Sequence, residues 1–536
     1  MKKFFASIYV CVGFFSLNLN AQQQNFFDGY KENMFVVSED CSHFFGNKVE
    51  EKVARDYIAK IPDGAITHIF FVPTAMRLSY KSKVWESVWD EIDFSIKPLI
   101  KAKGRPHYGG WQILAKMWHE KGMNPFKIWL QECRKKGISP WFSLRLNDVH
   151  DVSDWNATLT SNFWRRNPQT WRCPYGKGFR TWFDLAFDYS HKIVRDRAVA
   201  LVEETLQMYD VDGIELDWQR FGLHLRDGRE LADSYALTEV VERSKALVDK
   251  YSKIKRKKIA LGVRVPQTPK HSMLIGANVV EWGKRGLIDV IAPTPMFGST
   301  DFYISANEWK QALGEEASKR IVILPNNEMF VAPYFESPKA VPLCEQMFDA
   351  WACCMYYNGA KSLCAFNMFV DNEIWKNLNP RGISPEICRN APRRHPLSYR
   401  VFLKPHDEYQ LQKNPEKNVE VKINCGLLPT QKRDVSVVVI YDAKEVPSAE
   451  VSLNGDKAKD MNIEFLNTEN TYKFFNGKLR SFSKEYPVPY WKEFNGKIKA
   501  TYSFEFDSLK EGLNKVCILQ NQKNPDLVRW IEIDIK

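Results

Sequence analysis

The feature that most restricts the fold of this chain is a regular alternation of short β-rich runs with helical stretches between about residues 34 and 372. A helical stretch separates each run from the next. The candidate strands are Met34–Ser38, Ile66–Val72, Ile138–Asn147, Asp212–Trp218, Ile259–Val265, Leu287–Thr294, Ile321–Asn326 and Ser362–Phe369. This alternation is typical of parallel strands joined by crossover helices. Eight such units predict a (β/α)8 barrel.

The alternative for the same units is a doubly wound open sheet. No glycine-rich nucleotide turn follows any of the runs, which disfavours that arrangement. After the last run the pattern changes to β-rich runs alone, separated by turn signals such as Asn454-Gly455. We therefore predict a barrel over residues 22–375, a linker over 376–394 and a C-terminal β-sandwich over 395–536.

The N-terminus predicts export. Lys2 and Lys3 precede an apolar run, and Ala21 provides a small-residue cleavage site before Gln22. This is the pattern of a secretory signal peptide, here residues 1–21, and it places the mature protein in the periplasm or outside the cell. The apolar run is shorter than the roughly 20 residues that a membrane span needs, so no membrane insertion is expected.

Composition limits the partners only weakly. The formal charge of +11 is compatible with nucleic acid, but no nucleic-acid-binding module is present, and export argues against that partner. An anionic carbohydrate or an indifferent basic surface would fit equally well, and the oligomeric state is not determined. Most of the ten cysteines that follow the predicted signal peptide are expected to be buried thiols, although one or two disulfides would suit an oxidising compartment.

The strongest chemical signal lies on the fourth predicted strand. Side chains alternate along a strand, so Ile214 and Leu216 share one face and Glu215 and Asp217 share the other. The apolar pair must face the surrounding helices, which turns both carboxylates into the barrel near the end where barrel enzymes place their active sites. Burying two acids is costly. They are therefore candidate catalytic residues, or members of a structural network with arginines.

The third strand supplies further polar residues by the same alternation. Arg145 is expected beside Glu215, where it would lower the pKa of that acid, and Asn147 could bond a sugar hydroxyl. Asp148 and His150 lie where the strand becomes a loop, and both are candidate substrate contacts.

Other strand ends complete the predicted site. The fifth strand adds Arg264 and the eighth adds Asn367, while Trp218 follows Asp217 directly; all three are predicted substrate contacts. Glu328 follows the seventh strand and is a third catalytic candidate, with an exposed loop acid as the alternative. No metal or cofactor is expected, since the chain lacks HExxH, phosphate-loop and Gly-x-Ser-x-Gly motifs.

Two long loops, after the second and third strands, are rich in aromatic residues. The second interleaves tryptophans with arginines: Trp155, Trp164, Trp171 and Trp182 with Arg165, Arg166, Arg172 and Arg180. The first runs from Pro73 to about Asn124 and the second from Asp151 to Phe183. Aromatic rings suit the C–H faces of sugars, so these loops could line a cleft. The alternative is that each loop packs on itself around a small core.

Two segments also carry a family resemblance. Gly137–Trp141 continuing to Arg145–His150, together with Asp212–Trp218, resembles the family 10-like glycosyl hydrolases of bacterial polysaccharide-degrading systems, over roughly residues 30–375. The resemblance implies a barrel glycosidase, often with a C-terminal β-sandwich. The fourth strand lacks the Asn-Glu pair of the classical retaining pattern, so the acid and the nucleophile are not assigned by it.

The sequence thus predicts an exported glycoside hydrolase acting on a poly- or oligosaccharide. Asp217 is predicted to be one catalytic carboxylate and Glu215 or Glu328 the other, with retaining and inverting chemistry both open. A non-catalytic carbohydrate-binding protein and a polysaccharide lyase or deacetylase are the alternatives. Because the candidate site lies wholly in the barrel, we expect the C-terminal region to be dispensable for bond cleavage but needed for stability or substrate targeting.

Overall fold

The computed structural model describes residues 33–173, 182–295, 299–328, 330–334, 341–367, 384–402, 404–405, 410–466, 471–472, 490–491 and 494–536. The predicted signal peptide, residues 1–21, lies outside these ranges, as do residues 376–383 of the predicted linker. Among the helices in the described ranges, none combines the length and the apolar character that crossing a bilayer requires.

The first part of the chain forms the predicted barrel. Its strands are β1 Phe35–Asp40, β2 His68–Val72, β3 Ser139–Arg145, β4 Gly213–Asp217, β5 Ala260–Pro266, β6 Val290–Thr294, β7 Val322–Ile323 and β8 Leu363–Phe366. They form one sheet in the order β8-β1-β2-β3-β4-β5-β6-β7. A parallel bridge between Asn326, after β7, and Cys364 closes the sheet. The (β/α)8 prediction is confirmed.

Helices connect the strands and cover the outside of the barrel. They are α1 Glu51–Ala59, α2 Gly110–Glu120, α3 Pro125–Lys135, α4 Asn162–Arg166, α5 Lys192–Met208, α6 Tyr235–Lys255, α7 Pro269–Leu274, α8 Val279–Lys284, α9 Ala306–Leu313, α10 Glu315–Arg320, α11 Glu345–Tyr357 and α12 Pro385–Asn390. Local sequence sets their ends. The side chain of Asn124 caps α3, Pro125 begins it, and Gly137 turns the chain into β3 with a φ of 70°.

An apolar plug fills the lower half of the barrel interior. The indole of Trp141 stacks on Phe70 with ring centroids 4.7 Å apart. A Cβ on Gly213 would lie 2.3 Å from that indole, so only glycine fits beside it. Small and branched residues complete the plug: Met34, Val36, Ala260, Val290, Ala292, Val322, Leu324 and Cys364. The polar residues described below lie above the plug, toward the C-terminal ends of the strands, which we call the rim.

The C-terminal region forms two antiparallel sheets, which confirms the predicted β-sandwich. Its longer strands are β9 Arg393–Pro396, β10 Asn418–Asn424, β11 Val435–Asp442, β12 Ala449–Leu453, β13 Asp460–Phe465, β14 Ile498–Phe504, β15 Leu513–Gln520 and β16 Leu527–Ile535. One sheet has the order β9-β16-β11-β14-β13, and the other contains β10-β15-β12. The domain boundaries given above remain predictions.

The sandwich packs directly on the barrel. Val438, Ile440 and Trp530 belong to the same apolar cluster as the outer faces of the barrel strands. All ten cysteines after the predicted signal peptide are free thiols; eight are buried, and Cys173 and Cys517 are partly exposed. The prediction of buried thiols is confirmed.

Candidate active site

The register of three neighbouring strands stacks the polar residues of the barrel in two layers. Arg145 of β3 pairs with Asp217 of β4, which pairs with Arg264 of β5. One step deeper, Ser143 pairs with Glu215. Both acids of β4 point into the barrel, as the alternation predicts, and Asp217 lies at the rim.

Asp217 is the most tightly bound acid of the rim. It is 1% exposed. The Nη1 atom of Arg264 lies 3.2 Å from Oδ1 and 3.1 Å from Oδ2, and Oδ1 also accepts the backbone N–H groups of Gln219 (3.0 Å) and Arg220 (2.9 Å). Among the described residues, Oδ2 therefore accepts from Arg264 alone, whereas Oδ1 accepts from three donors. Oδ2 is the oxygen with lone-pair capacity left for a ligand.

Glu215 does not lie beside Arg145, and that prediction is wrong. The strand register places Ser143 opposite it, and the Ser143 hydroxyl donates to Oε1 at 2.6 Å. Burial raises the pKa of Glu215 to about 7, and the charge of Asp217 acts in the same direction. The expected lowering of this pKa is therefore reversed.

Arg145 instead binds acids from two other segments. Its Nη2 donates to Asp40 Oδ2 at 2.9 Å, and its Nη1 lies 3.4 Å from Asp148 Oδ2. Burial by itself would raise the pKa of Asp40, but the charge and hydrogen bond of Arg145 hold that pKa well below its usual value. Sequence reasoning missed Asp40, although an acid at the C-terminal end of the first strand was a usable signal.

Glu328 lies at the rim and is 8% exposed, so the alternative of an exposed loop acid is wrong. Its Oε1 lies 3.6 Å from Nη2 of Arg264. Burial raises the pKa of Glu328, and the charge of Asp217 adds to the effect, whereas Arg264 and Arg220 oppose it. One guanidinium, packed on the ring of Phe366 at 4.0 Å, therefore contacts both Asp217 and Glu328.

Asp148 and His150 form a chain that ends at Arg220. His150 Nδ1 lies 2.6 Å from Asp148 Oδ1, and His150 Nε2 lies 3.1 Å from Arg220 Nη2. A guanidinium can only donate, so Nε2 accepts and the ring proton lies on Nδ1, directed at Asp148. Arg220 was missed because strand alternation says nothing about residues that follow the strand.

Two predicted substrate contacts, Asn147 and Trp218, do not face the interior of the rim. The Asn147 amide donates to the carbonyls of Phe187 and Leu223, both at 3.0 Å, and accepts from the N–H of Phe187 at 2.9 Å. Asn147 therefore joins two loops. Trp218 is 0% exposed and packs among rings on the helix side of the sheet, because alternation turns it away from Asp217. Neither side chain is available to a substrate.

The last predicted contact, Asn367, stays at the rim. It has a φ of 51° and follows β8. Its Oδ1 is buried without a hydrogen-bond partner in the described part of the chain, as are Ser38 Oγ and Asn326 Oδ1. Buried polar atoms are nearly always bonded, so these atoms are suited to water or to a ligand hydroxyl. No group of metal-ligating side chains occurs among the described residues.

The long aromatic loop after β3 is mainly structural. Trp155, Trp164 and Trp171 are at most 2% exposed, and the last two stack with centroids 4.5 Å apart. Arg165 is 1% exposed and donates to backbone carbonyls of its own loop. The loop after β3 is thus packed on itself where the structure describes it; Trp182 and Arg180 have no described side chains.

The sandwich contributes a segment to the rim that sequence reasoning did not anticipate. Ser398 bonds the Ser299 hydroxyl at 2.7 Å and donates to the carbonyl of Thr300. Thr300 Oγ1 in turn donates to the Glu328 carbonyl at 2.8 Å. Tyr399 follows; burial raises its pKa, and the nearby charge of Glu328 acts in the same direction. The contacts join residues about 30 to 100 positions apart, which local patterns cannot reveal.

Comparison with known proteins gives structural likenesses only. No protein-family model matches the chain, and no curated protein does. The glycoside hydrolase domain of PgaB (BpsB) from Bordetella bronchiseptica is 11% identical, with 65% of this chain and 99% of that chain covered and a TM-score of 0.40.

Two further similar structures are larger. A cycloisomaltooligosaccharide glucanotransferase of Paenibacillus sp. is 8% identical, with 94% of this chain and 57% of that chain covered and a TM-score of 0.34. Alpha-L-fucosidase isoenzyme 2 of Paenibacillus thiaminolyticus is 11% identical, with 66% and 49% covered and a TM-score of 0.36. This chain therefore spans about half the length of those two proteins. Similar solved structures are mostly glycoside hydrolases, but likeness at this level gives no residue correspondence.

Proposed function

We propose that the protein is an exported glycoside hydrolase, of the family 10-like type, that cleaves a poly- or oligosaccharide at the barrel rim. The observation that supports it best is the shared guanidinium: Arg264 contacts Asp217 through Nη1 and Glu328 through Nη2. Glycosidases need one protonated acid and one carboxylate on either side of the bond. Asp217 accepts hydrogen bonds from two backbone N–H groups and an arginine, which suits the carboxylate role. Burial raises the pKa of Glu328, which suits the role of the protonated acid.

Glu328 is proposed as the general acid. Its burial and raised pKa favour the protonated form, and its position at the rim gives it access to a leaving-group oxygen. Glu215 also has a raised pKa, but it lies one layer deeper and is bonded to Ser143, so it is the second choice.

Asp217 is proposed as the partner carboxylate, acting through Oδ2. The backbone N–H donors of Gln219 and Arg220 hold Oδ1, and the single Arg264 contact of Oδ2 leaves that oxygen able to attack the anomeric carbon or to activate a water. The anomer released first, followed by NMR, separates these two roles.

The test is turnover of a polysaccharide panel by the mature protein, with reducing ends, unsaturated sugars and acetate measured together. We expect reducing ends from at least one polysaccharide and a fall in kcat of about 10²–10⁴-fold in Glu328→Gln. Glu316→Gln, whose side chain is 88% exposed on α10, is the matched control and should keep full activity. Unsaturated sugars or acetate would identify a lyase or a deacetylase, and binding without any product would identify a carbohydrate-binding protein.

Export has its own test. The motivation is the charged start, apolar run and small-residue site that end at Ala21. N-terminal sequencing of protein recovered from the periplasm or medium should begin near Gln22. Exported protein that retained Met1 would contradict the proposal.

A further inference from the structure

The rim contains three arginines, and they differ in their partners. Arg145 lies within ion-pair distance of Asp40 and Asp148, and Arg264 within that distance of Asp217 and Glu328. Arg220 has no carboxylate within ion-pair distance among the residues that the structure describes. Its Nε, like those of Arg145 and Arg264, is buried there without a hydrogen-bond partner. Of the three rim guanidinium groups, it is the one without an anion at ion-pair distance in the described ranges.

Arg220 is nevertheless held in place. Its Nη2 donates to His150 Nε2 at 3.1 Å, and its guanidinium lies 5.1 Å from the ring centroid of Phe221. Phe221 has a φ of 64°, a strained conformation for a bulky residue. The backbone N–H of Arg220 donates to Asp217 Oδ1 at 2.9 Å. Strain concentrated in a segment that presents one side chain at a cleft is typical of ligand-binding loops.

The surrounding charges leave Arg220 uncompensated in the active form of the site. Burial and the positive charge of Arg145 lower the pKa of Arg220, while Glu328 and Asp148 act against them. Asp148 is already bound by Arg145 and His150. Glu328 must be protonated to act as the general acid, and it then supplies no charge. Keeping a largely buried cation without a counter-anion is costly, so the missing anion is expected from a ligand.

We propose that Arg220 forms a subsite for an anionic group on the sugar chain, a carboxylate or a sulfate ester, beside the catalytic acids at the rim. This inference rests on the proposed glycoside hydrolase function and narrows its substrate to acidic polysaccharides. The planar guanidinium matches the paired oxygens of either group.

Binding without turnover tests the subsite. The Glu328→Gln protein mimics the protonated acid, and it is titrated calorimetrically with oligogalacturonate, with sulfated galacto-oligosaccharide and with a neutral galacto-oligosaccharide of equal length. We expect one anionic ligand to bind at least about 10-fold more tightly than the neutral one. This difference in affinity should fall as the salt concentration increases. The ligand that shows the preference identifies the group as carboxylate or sulfate.

A second substitution, added to the Glu328→Gln protein, shows whether Arg220 is responsible for the preference. Adding Arg220→Gln should abolish the preference, and Arg220→Lys should keep part of it because the charge remains. Adding Arg285→Gln, which changes a half-exposed arginine paired with Glu242 at the C-terminal end of α8, should leave it unchanged. Melting temperatures of all four proteins establish that each is folded.

The outcomes separate this inference from the proposed function. Equal binding of anionic and neutral ligands, or an anion preference that survives Arg220→Gln, would overturn the subsite even if the wild-type protein cleaves a neutral polysaccharide. Loss of the preference in Arg220→Gln, together with a wild-type protein that cleaves nothing, would retain the subsite and remove the hydrolase.

Discussion

The two sides of the rim are built in different ways. On the strand side, adjacent strands supply aligned charged residues: Arg145, Asp217 and Arg264. On the sandwich side, Glu328 follows the short strand β7 and is bonded to Thr300, which Ser398 of the C-terminal region holds in turn. Sheet hydrogen bonds fix the first side. Contacts between distant segments fix the second.

The difference separates stability from catalysis. Changes on the strand side break buried ion pairs and should lower the stability of the fold, in addition to any effect on turnover. Changes on the sandwich side move a carboxyl whose backbone lies outside the barrel strands, and they should act mainly on turnover. The expectation that the C-terminal region is dispensable for cleavage does not take account of the Ser398 contacts, and we revise it.

The largest expected effect follows from removing the sandwich. A chain ending at residue 392 loses β9, which packs on α11, and the apolar contacts of Val438 and Trp530 with the barrel. We expect it to aggregate or, if folded, to lack measurable turnover, since the barrel loses the whole region that packs on it and, with it, the support of the Glu328 segment. Gel filtration, circular dichroism and the reducing-end assay measure this. A folded, monodisperse barrel with wild-type kcat would erase the distinction between the two sides.

Asp217→Asn tests the strand side. The amide keeps an acceptor for the backbone N–H groups of Gln219 and Arg220, but it leaves Arg264 without its ionised partner at 2% exposure. We expect a loss of about 3–5 kcal/mol in the free energy of unfolding, besides the loss of turnover. Urea unfolding measures the first quantity. Asp63→Asn, an 89% exposed acid paired with Lys136, should change it by less than about 0.5 kcal/mol.

Glu215→Gln tests the deeper layer through pH. Burial raises the pKa of Glu215 from 4.5 to about 7, so between these values the unfolded chain loses this proton while the native protein keeps it. Wild-type stability therefore falls as the pH rises from about 4.5 to 7, by up to about 3 kcal/mol. The variant lacks this penalty and should gain stability relative to wild type at pH 8, with little gain at pH 4. Equal gains at both pH values would contradict the raised pKa.

Ser398→Ala is the mildest test and addresses the sandwich side. It removes two hydrogen bonds, to Ser299 and Thr300, each typically worth about 1 kcal/mol. We expect kcat to fall by about 3- to 10-fold with KM nearly unchanged, and the pH profile of kcat to shift as Glu328 moves. The control Thr430→Ala removes an exposed bond to Asn390 in the same region. An unshifted pH profile would mean that Ser398 does not position Glu328.

The sequence by itself determined the elements with a local period. Alternation of apolar and polar residues located the eight barrel strands, and it turned Glu215 and Asp217 to the inside, because side chains on a strand repeat every two residues. The change to strands alone located the sandwich.

Only the tertiary structure decided which charges meet. Arg145 binds Asp40 across 105 residues, Glu215 faces Ser143, and Ser398 reaches Thr300 across 98 residues. Strand register, closure of the sheet and docking of the sandwich set these pairs. They depend on the spatial arrangement of the whole chain, whereas a local pattern reports only the conformation of its own few residues.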